Sequence, residues 1–269
     1  MKTTKKILSI ALVLLMLGSA LVCYTAAATA EKTFAYVNIY DGNKLVLSMY
    51  KAEKTDEDGD GSWTINDALI TAHKAKCKDG YASAASEWGT SITKLWGDES
   101  GAFGYYLNNK MVMTDVKEKL NETTPDVIYA YVYSDKTTWS DAYTFFDKTQ
   151  FTGNQNDKVT LKLSYVSFDE NYNQVDKPLA DATIYFDAKE TKFKTDANGE
   201  VEITLPSYST IISAEKEGMT IVPPVCRFDK IEKSGSTLLI VLIIVSVVII
   251  AAVVCVILFT NKKKKQIEK

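Results

Sequence analysis

The chain has 269 residues, with 31 Lys and Arg against 34 Asp and Glu and a formal net charge of −3 at pH 7. The acidic excess is concentrated in residues 31–235, which hold 23 basic and 33 acidic side chains. A surface of this charge repels phosphate backbones, and the single arginine, Arg227, offers little bidentate phosphate recognition. The composition therefore argues against nucleic acid as a partner.

The two ends of the chain predict secretion and membrane anchoring. Residues 1–30 combine a basic start, an apolar run and small residues before a cleavage point, which is the pattern of a signal peptide. Residues 237–260 contain no charge and no proline, and as a helix they reach about 36 Å, enough to cross a bilayer core of ~30 Å. Lysines follow directly, so the positive-inside rule places the tail 261–269 in the cytoplasm. We expect a single-pass cell-membrane protein with an extracellular N-terminal region.

The first predicted module spans residues 31–150 and mixes strands with one helix. Residues 34–50 have the alternation of two strands around a turn. In residues 64–76 apolar side chains recur at helical spacing, and Thr64 can cap the helix. The segment 78–104 is rich in Gly, Ser, Ala and Trp, which suggests an ordered but irregular connection. Three further strands are predicted at 104–109, 126–135 and 139–147.

The second predicted module spans residues 157–229 and follows a turn-rich linker at 153–157. Its apolar residues alternate with a two-residue period, in short runs separated by turns. Regular short strands without a helical segment indicate an all-β sandwich. Cys77 and Cys226 fall in different modules of the secreted region, where they either form a disulfide between the modules or remain separate thiols.

The acidic loop at 56–67 has the spacing of a calcium-binding loop. Calcium prefers hard oxygen ligands, which a tight loop can supply at alternate positions. Counting from Asp56, two more aspartates follow at alternate positions, Gly61 stands where the loop must turn sharply, and an acidic residue closes the pattern. The predicted ligands of Ca²⁺ are Asp56, Asp58, Asp60, Ser62 (through its backbone carbonyl), Thr64 and Asp67.

The alternative for this loop is a solvated acidic turn that leads into a helix cap. The segment before the loop is strand-like, so the loop joins a strand to a helix instead of joining two helices. We therefore expect a structural calcium ion that fastens the helix start to the strand, not a calcium switch. Asp67 in the closing position resembles the loops of bacterial dockerin modules, although dockerins resemble a duplicated loop and this chain has a single copy.

Two motifs in residues 34–147 suggest a known family: the helix start Asp67-Ala68-Leu69 and the strand motif Tyr105, Tyr106, Asn108 and Asn109. With them, this region resembles the transcobalamin-like C-terminal domain of bacterial surface proteins. The resemblance implies a β-grasp-like α+β fold, and some relatives in that family contact corrinoids. The chain departs from the family at Thr124-Pro125-Asp126, where an Asp-Gly-Asp turn is usual.

The run KPLADATIYFDAKETKFKTDANGEVEITLP, residues 177–206, resembles Ig-like β-sandwiches of the carboxypeptidase-regulatory type. Gly199 in this run serves a turn that needs positive φ. Modules of this kind are usually spacers or stalks, so the resemblance implies that the second module carries the first.

Candidate catalytic groups are few. The single histidine, His73, lies in the middle of the predicted helix, where a surface or hydrogen-bonded role is expected. Zinc sites need several His or Cys ligands, which this chain does not offer. We therefore expect no enzymatic activity.

Two surface features complete the pattern. Asn121-Glu122-Thr123 is a glycosylation sequon. Aromatic residues crowd the first module, where they either form its core or stack on a ligand. The aromatic residues are Trp88, Trp96, Tyr105, Tyr106, Trp139 and Tyr143.

Together these patterns predict a membrane-anchored binding or adhesion protein with a structural calcium site. Its partner would be an extracellular protein, a glycan or a small ligand. A surface receptor for a corrinoid- or haem-type ligand is the alternative, and a glycan-active enzyme is a weaker one.

Overall fold

The computed structural model describes residues 33–231 and the four isolated helical residues 243, 246, 247 and 254. The predicted signal peptide and cytoplasmic tail lie outside these residues, as does the predicted span 237–260 apart from those four positions. No helix among the described residues has both the length and the apolar character that crossing a bilayer requires.

The first unit of the body is a mixed sheet with one helix, and it runs from residue 34 to residue 132. The first and the last strand of the unit lie at the centre of the sheet and pair in parallel. The sheet is extended by a hairpin partner on one side and by a two-stranded hairpin on the other. In chain order the elements are β1 (Phe34–Tyr40), β2 (Leu45–Glu53), α1 (Ile65–Lys76), β3 (Ala82–Ser86), β4 (Gly89–Lys94), β5 (Phe103–Leu107), β6 (Lys110–Met111) and β7 (Val127–Val132).

The order of strands in this sheet is β2-β1-β7-β5-β6, and α1 covers one of its faces. The helix forms where the sequence predicts it, because its apolar residues recur at helical spacing and are buried against the sheet. Ile65 and Leu69 of α1 pack in one cluster with Val37, Ile39 and Ile128 from the two central strands. Alternate residues of these strands point to the other face of the sheet.

The segment between α1 and β5 contains more regular structure than the sequence predicts. β3 and β4 form an antiparallel hairpin whose turn is Ser86 to Gly89. Small residues in β3 carry no apolar alternation, so periodicity does not reveal the strand. The turn needs Gly89 because its φ is +108° and a Cβ there would lie 2.6 Å from the Asp115 carboxylate.

The second unit consists of two packed sheets, as the two-residue periodicity predicts. In chain order the strands are β8 (Ala142–Phe146), β9 (Gln150–Gly153), β10 (Lys158–Phe168), β11 (Gln174–Pro178), β12 (Thr183–Phe186), β13 (Lys189–Lys194), β14 (Glu200–Thr204), β15 (Thr210–Glu215), β16 (Ile221–Val222) and β17 (Cys226–Lys230). One sheet has the order β11-β10-β8-β16, with β14 also paired to β10, and the other has the order β13-β12-β15-β17-β9. The core between the sheets contains the fully buried side chains of Leu161, Leu163, Ile184, Ile203 and Phe228.

The strand predicted at the end of the first module belongs to the second unit. β8 pairs with β10 and β16, with Phe146 opposite Leu163, and β9 pairs in parallel with β17. Residues 153–157, predicted as a linker, form the turn between β9 and β10, closed by the Asp157 N–H donating to the Asn154 carbonyl (3.2 Å). The boundary between the units therefore lies between residues 132 and 142. The sequence places the boundary later because alternation along a strand does not specify which sheet the strand joins.

Cys77 and Cys226 are free thiols. Cys77 is the C-cap of α1, while Cys226 is fully buried in β17 within the sandwich core. Burial raises the pKa of the Cys226 thiol to about 12. Of the two alternatives for this pair, the structure has separate thiols in separate units.

A cluster of tyrosines joins the two units. The first sheet turns the rings of Tyr106, Tyr129 and Tyr131 away from α1, and Tyr143 from β8 packs against them. The Tyr106 and Tyr143 rings are stacked with centroids 3.7 Å apart and planes 6° apart. The Tyr129 hydroxyl donates to the Pro223 carbonyl (2.5 Å), and the Tyr143 hydroxyl donates to Asn109 Oδ1 (3.0 Å). This tyrosine interface is buried, and the hydroxyls of Tyr129 and Tyr143 each find a hydrogen-bond partner in the opposite unit.

Polar contacts at the edge of the tyrosine interface hold β6 against β11. The Gln174 side chain donates through Nε2 to the Asn109 carbonyl (2.9 Å) and accepts through Oε1 from the Met111 N–H (3.0 Å). Both the donor and the acceptor of the Gln174 side-chain amide thus bond to the backbone of the first unit. Next to this amide, Lys110 pairs with Asp176 (3.5 Å).

The tyrosine interface predicts a large loss of stability for Tyr143→Ala. The side chain is 4% exposed, and its removal leaves a cavity beside Tyr106 and Tyr129, so we expect a loss of about 3–5 kcal/mol in unfolding free energy. Tyr143→Phe removes only the hydrogen bond to Asn109 and should cost about 1 kcal/mol. Urea unfolding of residues 31–235 measures both values.

Tyr208→Ala is the matched control, since this ring is 48% exposed and its loss should change stability by less than about 0.5 kcal/mol. If Tyr143→Ala unfolds like Tyr208→Ala, the units are not coupled through this ring.

Candidate metal centre

The acidic loop folds around the carboxylate of Asp56. Asp56 Oδ1 accepts hydrogen bonds from the N–H groups of Gly59 (2.8 Å) and Asp60 (3.1 Å), and Oδ2 accepts from the N–H of Gly61 (2.9 Å). Gly59 and Gly61 have φ of +76° and +82°, which suit glycine and let three N–H groups turn toward one side chain. The alternating aspartates and glycines therefore determine the backbone conformation of this loop through contacts within the loop itself.

Three of the predicted ligands converge. Asp56, Asp58 and Asp60 each offer a carboxylate oxygen, and these oxygens lie within 4.8 Å of one another on an exposed surface. Three carboxylates at this spacing repel one another unless a cation lies between them. The chemistry of the donor set, hard anionic oxygens only, suits calcium.

A lysine from a distant segment supplies positive charge to this group. The ammonium of Lys117 donates to Asp60 Oδ2 (2.8 Å) and contacts Asp58 Oδ2, which also accepts from Asn66 Nδ2 (2.5 Å). Burial lowers the pKa of Lys117, but its hydrogen bonds to Asp58 and Asp60 raise the pKa by more. Hydrogen bonds from Lys117 and from the Ser62 N–H hold the pKa of Asp60 below its usual value. The Lys117 ammonium therefore lies against the carboxylates to which a metal cation would bind.

Lys117 is presented by a segment that runs along the start of α1. The Asn66 N–H donates to the Val116 carbonyl (2.8 Å), and the Leu120 N–H donates to the Trp63 carbonyl (3.0 Å). These bonds satisfy one of the helix N–H groups that α1 itself leaves without a partner. The sequence has no local signal for this contact, since Lys117 is more than fifty residues beyond the loop.

Thr64 and Asp67 form the N-terminal cap of α1. Asp67 is fully buried, and its Oδ2 accepts from the Thr64 N–H (2.9 Å) and the Thr64 hydroxyl (2.6 Å), while Oδ1 accepts from the Glu57 N–H (2.8 Å). This is a capping box, so the predicted closing ligand is used by the helix instead. Ser62 donates its N–H to Asp60 Oδ1 (2.8 Å). The residues present fit a cation at Asp56, Asp58 and Asp60, and calcium itself stays a prediction.

His73 is a buried structural bridge. Its Nδ1 lies 2.7 Å from the Leu69 carbonyl, and its Nε2 accepts from the Trp96 N–H (3.2 Å), which assigns the proton to Nδ1. The ring lies between those of Tyr81 and Trp96, at centroid distances of 5.0 and 5.4 Å. Burial lowers the pKa of His73 because the charged form would lose its hydration. The hydrogen-bonded role expected from the sequence is the one the structure has.

The aromatic residues divide between core and surface. Tyr106 and Tyr143 lie in the tyrosine interface, and Trp96 packs against the core below α1. Trp88 at the turn of the β3–β4 hairpin is 85% exposed, and Trp139 is 57% exposed and stacks on Tyr133 with centroids 5.9 Å apart. The core alternative is confirmed for Trp96, Tyr106 and Tyr143, while ligand stacking by the exposed Trp88 and Trp139 stays a prediction.

A cleft of about 330 Å³ separates the β1–β2 turn from the outer face of the sandwich. Lys44 lines it on the first unit, and Tyr185, Glu215 and Lys216 line it on the second. The Tyr185 hydroxyl bonds to Glu215 within the cleft. Its volume lies at the lower end of the range of small-ligand pockets, roughly 300–1,000 Å³.

No protein-family model matches the chain, and no curated protein sequence is similar to it. Solved structures align with part of it, among them a bacterial and a fish protein. The fibronectin(III)-like modules of CbhA from Clostridium thermocellum cover 48% of this chain and 77% of their own at 9% identity and a TM-score of 0.26. The polymeric Ig receptor ectodomain of a teleost fish covers 59% and 77% at 8% identity and a TM-score of 0.20. At these TM-scores neither alignment defines a function.

His73 predicts a loss of stability in mild acid. Its pKa is lowered in the folded state, so the unfolded chain binds the proton more readily and the unfolding free energy falls as the pH drops below about 6.5. The slope contributed by one such group is at most about 1.4 kcal/mol per pH unit. His73→Gln, which does not titrate, should flatten the difference between pH 7.5 and pH 5.5.

Urea unfolding across this pH range, with wild type and His73→Gln side by side, measures the effect. The carboxylates are common to both chains, so the difference isolates His73. Parallel stability curves for the two chains would show that His73 does not resist protonation in the folded state.

Proposed function

We propose that this chain is a cell-surface, single-pass membrane protein that binds or adheres to an extracellular partner and has no catalytic activity. The proposed topology follows from the patterns of residues 1–30 and 237–260, which flank the folded body on both sides. The acidic surface of the body keeps it soluble outside a membrane and is unsuited to nucleic acid. Residues 261–269 are proposed to face the cytoplasm.

We propose a β-grasp-like fold for the first unit and an Ig-like fold for the second. The strand order β2-β1-β7-β5-β6, with its parallel central pair and a helix on one face, supports the first assignment. Two packed, mainly antiparallel sheets support the second. The transcobalamin-like relationship rests on the sequence motifs alone.

Trp88 is the observation on which the binding function rests. Its ring is 85% exposed, yet the turn that carries it is fixed: the Trp88 N–H donates to Ser86 Oγ (3.2 Å), and Ser86 Oγ donates to the Gly89 carbonyl (3.0 Å). The Thr90 N–H also donates to Asp115 Oδ2 (3.0 Å), which ties the hairpin to the neighbouring segment. A large ring held out on a fixed turn loses little entropy when it meets a partner, and tryptophan is enriched among the residues that dominate binding energy.

Trp88→Ala tests this proposal. Purified residues 31–235 are screened on a glycan array and on extracellular proteins, and for any partner found, Trp88→Ala should weaken binding about 30-fold or more, corresponding to about 2 kcal/mol. Tyr172→Ala is the matched control, because this ring is 83% exposed on the second unit and should leave the affinity unchanged.

A partner that binds Trp88→Ala as tightly as wild type would rule out Trp88 as the contact.

Absorbance titration of wild-type residues 31–235 with cobalamin and with haem tests the receptor alternative, since saturable binding of either ligand would favour a receptor over an adhesion protein.

We propose that Asp56, Asp58 and Asp60 hold a structural Ca²⁺ when calcium is abundant outside the cell. The ion would supply the positive charge that the three carboxylates require. In its absence Lys117 supplies part of that charge, so Lys117 competes with the metal. The loop is tied to the start of α1 by the Glu57 N–H, which donates to Asp67 Oδ1 (2.8 Å), and by Asn66 Nδ2, which donates to Asp58 Oδ2 (2.5 Å). The capping box of α1 remains in place with or without the ion.

Calcium should raise the melting temperature of the wild-type protein and leave that of Asp56→Ala/Asp60→Ala unchanged. A ligand at a hundred times its Kd stabilises the folded state by about 2.7 kcal/mol. Lys117→Met should be less stable in chelator and gain more from calcium than wild type, because the competing charge is gone. Thermal melts in calcium and in EDTA measure each change.

The matched control is Asp169→Asn, which alters another exposed aspartate whose side chain accepts backbone N–H groups in a turn. This variant should keep the full response to calcium. A wild-type melting temperature that is equal in calcium and EDTA would refute a structural calcium ion.

A further inference from the structure

The turn at residues 121–125 displays the one Asn-x-Ser/Thr triplet in the chain. It connects the segment that carries Lys117 to β7, and all five of its residues are exposed. Asp126, which follows the turn, is buried. An acceptor asparagine must be reached by a transferase, and this position satisfies that condition.

The side chain of Asn121 is held in one orientation. Its Oδ1 accepts from the Thr123 N–H (2.8 Å), the Thr123 hydroxyl (2.9 Å) and the Thr124 N–H (3.1 Å). Three donors on the amide oxygen draw electron density from the amide, which makes its N–H more acidic. Within the described residues Nδ2 donates to no acceptor, so the nucleophilic atom faces outward.

The base of the turn is anchored at several points. The Asn121 N–H donates to Asp126 Oδ2 (2.6 Å), and Lys54 pairs with Glu122 (2.6 Å). Thr33 Oγ1 donates to the Glu122 carbonyl (3.3 Å). The backbone of the turn is thus tied to β1 and β2, while the amide nitrogen of Asn121 is left to the solvent.

We propose that Asn121 is the acceptor of an N-linked oligosaccharide. Its Nδ2 forms a bond to the anomeric carbon of a sugar carried on a lipid diphosphate, and the bond from that carbon to the phosphate oxygen breaks. The lipid diphosphate leaves with the electron pair, and the amide proton passes to a base of the transferase. The proposal rests on the proposed secretion of residues 31–235, because the transfer takes place on the non-cytoplasmic side of a membrane.

The full chain is expressed in a eukaryotic secretory host that modifies Asn-x-Thr, and its mass is measured before and after peptide:N-glycosidase. Wild type should carry one glycan, and enzymatic release should convert Asn121 to aspartate. Asn121→Gln and Thr123→Ala should both carry none, while Thr123→Ser should retain the modification.

Asn173→Thr supplies the control, because it creates a second triplet at Asn171 in an exposed turn of the second unit. The Asn173→Thr chain should carry two glycans. A glycan on Asn171 alone would overturn the assignment of Asn121 while leaving secretion intact. No glycan at either position would overturn the proposed secretion, so the two failures are distinguishable.

Discussion

A sheet that carries a helix on one face leaves its other face uncovered, and here the second unit covers it. The rings of Tyr106, Tyr129 and Tyr131 would present a large apolar surface if the sandwich were removed, and such faces must be buried against another layer. Tyrosine adds a second requirement, since each buried hydroxyl needs a partner. Tyr129 finds the Pro223 carbonyl in the other unit, and Tyr143 finds Asn109. The two units therefore depend on each other for both packing and polar satisfaction.

The acidic loop shows how one short stretch can serve two structural purposes. Its glycines let Asp56 gather three backbone N–H groups, and its last residue, Asp67, caps the helix that follows. Asp58 and Asp60 remain, and charge repulsion between them requires a cation. Lys117 provides one from a segment that also closes the start of α1. A metal at this site would replace a weak intramolecular ion pair and would not create the loop.

Local elements of this fold were predictable, and their partners were not. The helix and most strands follow from periodicity, because burial of one face sets the spacing of apolar residues. β8 alternates in the same way whether it joins the first sheet or the second, so its assignment to the first module was wrong. The loop motif predicts the convergence of Asp56, Asp58 and Asp60, but the same spacing places Asp67 three residues after Thr64, where a capping box competes for it. Lys117 could not be found from sequence, since no local pattern encodes a contact across more than fifty residues.

The tyrosine interface also decides which surfaces of the first unit can meet a partner. Its sheet face is occupied by the second unit, and its other face by α1, so the loops and the β3–β4 hairpin are the parts of the first unit left open to the proposed partner. Trp88, Asn121 and the exposed aspartates of the acidic loop all lie on that remaining surface, and none of them belongs to the tyrosine interface. Substitutions there change exposed side chains whose packing contributes little to the core. The chain thus separates the residues that hold its two units together from the exposed residues proposed for recognition, so a substitution at the exposed positions leaves the contact between the units in place.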